Sequence, residues 1–423
     1  MTEADAHRTI EAIWRIESAR LIAGLTRLVR DVGLAEDLAH DALIIAMERW
    51  PESGIPDNPG AWLMTTAKRR AFDMLRRNQL HKRKYSELIR EMDGYYQPDF
   101  DANLGSEVED DLLRLIFMTC HPILSREARI ALALRLWGGL TTLEIARAFL
   151  ISESTVAQRI VRAKRTLRAA QVPFDLPEGR DLEARLASVL EVLYLIFNEG
   201  YSATSGEDWI RPVLCEEALR LGRILAELVP KDAEVHGLVS LMEIQSSRFR
   251  ARIGESGEPI LLEDQNRVQW DQLLIRRGLD ALERAESLGG VFGPYRIQAE
   301  IAACHAKSKT ASETDWLRIA ALYDALGQIS PSPIVELNRA VALSRAFGPE
   351  IALEFIEPLM NDAVLKDSHQ LPSVRGDLLA KLGRNAEAFA EFTRAASLTR
   401  NERERELLLK RASNLPGTSN SAK

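Results

Sequence analysis

Apolar residues recur at helical spacing along almost the whole chain, and strand-like alternation is absent. Leu21, Leu25, Leu28 and Val29 mark one helix, and Leu34, Leu38, Ala42 and Ile45 mark a second. Pro51 is expected to stop that second helix, because proline has no N–H to donate. Residues 51–60 hold three prolines and two glycines and are expected to form a loop. A third helix is predicted from near Pro59, a favoured early-helix proline, through Trp62 to Arg77. Together these helices predict a first module over residues 9–77.

Residues 78–110 read as a polar, acidic connector, and residues 111–170 as a second compact helical module. Within the second module, residues 140–168 read LTTLEIARAFLISESTVAQRIVRAKRTLR. Thr141 and Glu144 have the spacing of a capping box. Ile145, Ala146 and Phe149 supply a buried side, and Ser152 or Ser154 can cap the following helix. In that helix Val156, Ile160, Ala163 and Leu167 follow 4-3-4 spacing and line one face. Thr155, Gln158, Arg159, Arg162 and Arg165 fall on the other face, which offers donors to guanine edges and phosphates. The pattern is that of a helix-turn-helix with a recognition helix. One position departs from it: Leu150 stands where the turn often has glycine.

Residues 171–180, with Pro173 and Pro177, read as a second linker. Residues 181–415 read as paired helices. The clearest pair holds Gly376, Leu379, Gly383, Ala388, Phe392, Ala395 and Leu398, spaced as in tetratricopeptide repeats, where small residues let two helices cross closely. A looser copy lies at Ala340, Leu343, Gly348, Ala352, Ile356 and Leu359, and weaker pairs precede it. The charged stretch from Arg403 to Lys410 is expected to form a terminal cap. The fold class expected is therefore all-α: two small helical modules, the second a helix-turn-helix, followed by an α-solenoid-like helical-repeat domain.

A net charge of −7 argues against a general nucleic-acid binder. The distribution changes that picture. Lys68, Arg69, Arg70, Arg76 and Arg77 belong to one basic run, and Arg159, Arg162, Lys164, Arg165 and Arg168 to another; the acidic connector separates them. Two phosphate-binding modules are the expectation, with two solvated helix faces as the plainer alternative. Cys120, Cys215 and Cys304 lie too far apart for a disulfide framework or a zinc pattern. Cys120 is expected to pack in a core. No apolar run is long enough to span a membrane. The first residues, Met1 to Glu11, carry no secretory signal, so a cytoplasmic protein is expected. No cofactor, metal site or catalytic residue is called for: there is no Gly-rich phosphate loop, no HExxH helix and no nucleophile–base setting.

Two stretches resemble the sigma-70 family, extracytoplasmic-function group. GLAEDLAHDALIIAMERW followed by GAWLMTTAKRRAFDMLRR is similar to region 2, and the helix-turn-helix is similar to region 4. The resemblance covers both helical modules and ends near Ala170. It implies that Glu36, Asp37, Leu38 and Asp41 dock on the core RNA polymerase. It implies that Lys68, Arg69, Arg70, Arg76 and Arg77 hold the −10 element of promoter DNA, and that Thr155, Gln158, Arg159, Arg162 and Arg165 meet the −35 element. Trp62 and Phe72 either stack bases or pack in the core. YLIFNEGY, EDQNRVQWD and PYRIQAEIAACHA resemble an extension found in one subgroup of these factors. Within that extension Asn198, Glu199, Arg267 and Asp271 are polar residues in apolar text, members of a buried network or contacts to a partner. The implied function is promoter-specific transcription initiation, with the extension regulating it in cis and its protein partner unknown. Two other readings stay open. A stand-alone helix-turn-helix regulator with a sensing repeat domain would not need the acidic helix. A pure repeat scaffold leaves the two modules ahead of the repeats without a role.

Overall fold

The computed structural model describes residues 3–79, 104–149, 151–203, 209–254, 257–290, 292–363 and 365–416. Among them lie eighteen α-helices, four short 3-10 segments and one isolated antiparallel bridge, Ile253 to Pro259. The chain divides into two compact units, 1–193 and 194–423.

The first unit opens with α1 (Glu3–Val29), α2 (Val32–Ser53) and α3 (Pro59–Gln79). Asp31 starts α2, its Oδ1 accepting the Leu34 N–H at 3.0 Å. Ala35, Leu38, Ala39, Ala42, Ala46 and Trp50 line the buried face of α2. They pack with Leu21, Ile22 and Leu25 of α1 and Leu63, Ala67 and Ala71 of α3 in the core. Each large apolar side chain buried here contributes about 1.5–3 kcal/mol relative to an exposed one. The expected stop at Pro51 is corrected: α2 runs through Pro51 to Ser53. In the last turn the missing N–H costs one hydrogen bond, and the fixed φ of proline still suits a helix. Gly54 ends the helix instead, at φ 83°. The loop therefore shrinks to residues 54–58.

The unit continues with α4 (Leu104–Thr119), α5 (Arg126–Leu136), α6 (Thr142–Phe149) and α7 (Glu153–Ala169). Most of the expected connector, residues 80–103, lies outside the described residues. Cys120 is fully buried, and burial pushes its thiol up to about 12. Next comes α8 (Gly179–Tyr201), and the division between the units falls within it. Its first half packs on α4 and α5. Ser188 Oγ donates to the Cys120 carbonyl at 2.6 Å, and Arg129 reaches Ser188 at 2.5 Å and Glu191 at 3.0 Å.

The second unit is a series of helices, each packed mainly on its neighbours in the chain: α9 (Pro212–Leu228), α10 (Ala233–Ser246), α11 (Gln272–Ser287), α12 (Pro294–Lys307), α13 (Trp316–Ile329), α14 (Pro333–Phe347), α15 (Pro349–Ile356), α16 (Gln370–Lys381), α17 (Asn385–Leu398) and α18 (Glu402–Ser413). The repeat-like pair corresponds to α16 and α17, with Ala388, Phe392 and Ala395 in its core. A methyl on Gly376 would stand 2.9 Å from the Phe392 ring, so only glycine allows that approach. Gly383, at φ 73°, turns the chain between the two helices. The final helix does more than cap the series. Leu408, Ala412 and Leu415 join the last core cluster. The fully buried Asn401 donates from Nδ2 to the carbonyl of Ala203, 198 residues earlier, at 3.1 Å. The end of the second unit is thus bonded to its beginning.

The polar residues of the extension have local partners. Glu199 pairs with Arg211. Asp271 caps α11 through the N–H groups of Leu273 and Leu274. Arg267 Nη1 donates to the carbonyls of His305 and Ser308 at 2.6 and 2.7 Å, and Nη2 to Thr314 Oγ1 at 3.1 Å.

Candidate nucleic-acid interface

The helix-turn-helix is built from caps outward. Thr141 Oγ1 accepts the Glu144 N–H at 3.1 Å, and Glu144 Oε2 accepts the Thr141 N–H at 2.8 Å, closing a reciprocal capping box on α6. Ser152, not Ser154, caps α7, accepting the Thr155 N–H at 3.1 Å. Leu150 lies outside the described residues. Val156, Ile160, Ala163 and Leu167 form the buried face of α7. That fixes the opposite face. Gln158, Arg162 and Arg165 are exposed there. Thr155 and Arg159 sit on the flank and are half-buried. The Thr155 hydroxyl is 2.7 Å from the Ser152 hydroxyl, and Arg159 acts electrostatically on Glu127 at the start of α5. The exposed face also holds a residue the apolar pattern did not single out. Val161 is 63% exposed between Gln158 and Arg165. Its position outside the 4-3-4 register was the available signal.

The basic face of α3 presents Lys68, Arg69, Arg70 and Arg76, all exposed; the side chain of Arg77 lies outside the described residues. Arg70 meets Asp41 of α2 at 2.5 Å, with both side chains nearly half exposed. Such a pair is worth at most about 1 kcal/mol and separates readily. Trp62 is half-buried, packs edge-on against the buried Trp50 with ring centroids 5.2 Å apart, and lines a pocket with Glu48, Arg49, Glu52 and Ser53. Phe72 is half-buried on the same helix.

The four acidic-helix residues separate into two pairs. Asp37 is exposed and Asp41 is half-buried, on a stripe that continues into the exposed Ile44 and Met47. Glu36 and Leu38 face inward, each 4% exposed. The Glu36 carboxylate accepts Arg135 Nε of α5 at 2.6 Å and pairs with Lys164 of α7. Arg135 also lies 2.9 Å from His40 Nε2 and donates to the Leu140 carbonyl at 3.2 Å. Burial alone would raise the Glu36 carboxyl. The Lys164 and Arg135 charges outweigh burial and hold the group below its usual range. Three more pairs join the modules: Asp31 with Arg168, Glu144 with Arg15 at 2.8 Å, and Asp111 with Arg27 at 3.2 Å. Removing one member of the buried Glu36 cluster would orphan its partners, at a cost of about 3–5 kcal/mol.

Among the described residues no helix is long and apolar enough to cross a membrane. Comparison with known proteins bears on both modules. Residues 15–81 match the model of Sigma-70 region 2, and residues 114–167 that of Sigma-70, region 4. Residues 185–286 match a family of unknown function, DUF6596. An uncharacterized protein of Rhizobium meliloti, R00370, is 42% identical over 90% of both chains. The ECF RNA polymerase sigma factor SigK of Mycobacterium bovis is 28% identical over 36% of this chain and 79% of its own. The probable ECF RNA polymerase sigma factor SigI of Mycobacterium tuberculosis is 26% identical over 39% of this chain and 57% of its own. No solved structure matches the chain. The two helical modules, their order, the capped helix-turn-helix and the long helical extension lead to one assignment: the chain belongs to the sigma-70 family, as an extracytoplasmic-function sigma factor with a C-terminal helical extension.

Proposed function

We propose that this sigma factor divides promoter recognition among three surfaces and that its extension acts on them in cis. The stripe of Asp37, Asp41 and Ile44 docks on core RNA polymerase, where exposed carboxylates beside apolar side chains suit a basic helical partner. The face of Lys68, Arg69, Arg70 and Arg76 holds the separated −10 strand through its phosphates, and Trp62 offers a ring beside it. The outer face of α7 reads the −35 duplex. Arg162 and Arg165 suit guanine or phosphate, Gln158 suits adenine, and Val161 suits a thymine methyl. Thr155 and Arg159 support this face from its flank. The observation that carries the reading is the outer face of α7, where Gln158, Val161, Arg162 and Arg165 are exposed together on a helix capped by Ser152. Promoter opening follows from binding energy toward unstacked bases and needs no covalent chemistry from the chain.

Cis action rests on length. The stretch 171–180 spans at most about 35 Å, which keeps the extension at high effective concentration beside the −35 module. The test is run-off transcription with core polymerase on promoters near the protein's own gene. The full chain is expected to direct initiation, and a chain ending at residue 193 is expected to lose output. Absence of initiation by the full chain would refute the sigma reading. Equal output from the shorter chain would leave the extension a passenger.

A further inference from the structure

The −35 reading proposed above, on which this inference rests, sets the outer face of α7 against DNA. That face is only as well aimed as the helix beneath it, and α7 packs on α5. Ala131, Leu132, Ala133 and Leu134 of α5 are all buried, and these successive positions span a full helical turn. Helix α5 is therefore enclosed on every side, and its placement depends on each neighbour. One neighbour is the first half of α8, which lies beyond the match to Sigma-70, region 4. That match ends at residue 167, and the match to the family of unknown function begins at 185. The first compact unit nevertheless runs on to 193, and Leu186, Val189, Leu190, Val192 and Leu193 are buried in it.

The polar side chains of this stretch reach the end of α4 and the start of α5. Arg185 donates to the Phe117 carbonyl at 3.5 Å, and Ser188 Oγ to the Cys120 carbonyl at 2.6 Å. The buried Arg129 of α5 donates to Ser188 Oγ at 2.5 Å and to Glu191 Oε2 at 3.0 Å, and Arg126 pairs with Glu191 at 2.7 Å. A cation buried in the −35 module thus has its counter-charge on the extension. The turn of α5 that carries Arg126 and Arg129 also carries Glu127, whose carboxylate interacts electrostatically with Arg159 on the flank of α7. A contiguous set of charges therefore runs from Glu191, through the first turn of α5, to the reading helix.

We propose that residues 185–193 are the closing helix of the −35 module, and that Ser188 and Glu191 are positioning residues that hold the first turn of α5 and so set the aim of α7. The start of the region of unknown function then serves −35 recognition directly, apart from the role of the remaining helices. A cut after residue 170 removes this helix along with the rest of the extension, whereas a cut after 193 keeps it.

The test uses full-length Glu191→Gln and Ser188→Ala, each assembled with core polymerase. Run-off transcription is measured on a promoter near the protein's own gene and on the same promoter with its −35 bases replaced. On the intact promoter Glu191→Gln should lower output about ten-fold and Ser188→Ala about three-fold, through loss of a charge-assisted contact to Arg129. On the altered promoter both variants should match the wild-type chain, because two changes that act through one contact do not add. Affinity for core polymerase should stay the same. Hydrogen exchange should quicken at the start of α5 and in α7 and stay unchanged in α2 and α3. Wild-type output and exchange in both variants overturn the proposal. An equal fractional loss on the two promoters also overturns it, since that marks a general loss of stability rather than of aim. If Glu191→Gln loses helicity by circular dichroism, Ser188→Ala decides by the same two comparisons. If the wild-type chain is indifferent to the −35 replacement, the −35 reading itself has failed and the inference falls with it.

Discussion

Asp37 and Glu36 are sequence neighbours with opposite environments, and they should respond differently to substitution. Asp37 is exposed, whereas Glu36 is sealed under Arg135 and Lys164. Asp37→Lys with Asp41→Lys should weaken core-polymerase binding by ten-fold or more, with helicity by circular dichroism unchanged; a titration of the double variant against core enzyme checks this. On α7, Arg162→Ala should cost about 1–3 kcal/mol at one base if it reads an edge, or weaken all sites evenly if it holds a phosphate. Arg159→Ala should cost less, because Arg159 leans toward Glu127. Binding to a set of single-base −35 variants separates these outcomes. His305 carries a pH prediction. Burial, then the charges of Arg248 and Arg267, lower its ring to about 3. The unfolded ring titrates near 6.5 and binds a proton that the folded ring refuses, so its contribution is present above that value and is lost as the pH falls. Between pH 7 and pH 5 the second unit should lose about 2 kcal/mol through this group. In His305→Gln that increment should vanish from urea unfolding curves compared at the two pH values.

At the scale of elements, the helix-turn-helix was the most legible part of the chain. Its caps, small residues and 4-3-4 apolar register are all local, and each appears in the structure where the spacing puts it. Ser152 is the local feature most open to test. Ser152→Ala removes the acceptor for the Thr155 N–H and should cost about 1 kcal/mol. A thermal melt should show the loss, and −35 binding should weaken with it as the first turn of α7 frays. Pro51 shows where local reading misleads. Proline prohibits a helix interior but not a last turn, and whether two more residues follow depends on Gly54 and on Trp50 being anchored between helices. The basic run on α3 was legible as charge, yet its contact with Asp41 was not, since the partners lie 29 residues apart.

For the whole molecule, what the sequence left unread is long-range. Glu36 lies 99 residues from Arg135 and 128 from Lys164, and no periodicity links them. The apolar spacing set Leu38 in line with Ala42, yet the family resemblance grouped it with the docking residues, and neither gave a reason to sort Glu36 away from Asp37. The acidic text around residue 36 is equally consistent with an exposed docking patch and with a buried ion-pair cluster. In the extension, helix pairs were legible from Gly376, Ala388 and Phe392, and the return of the chain end to Ala203 was not. That return makes a prediction. Asn401→Ala leaves the Ala203 carbonyl short of a donor in a buried site and should cost about 1–3 kcal/mol. Removal of residues 401–423 should lower hydrogen-exchange protection around residues 196–203 as well as in α17, whereas an open array would lose protection only next to the cut.

The bond from Asn401 to Ala203 also bears on how such an extension can evolve. An open stack of helix pairs changes length freely, since a duplicated or deleted pair needs only compatible neighbours. A stack whose last residues anchor its first cannot gain or lose a pair without parting both ends. Its length is therefore held by geometry, and change is confined to substitutions and to the loops between helices.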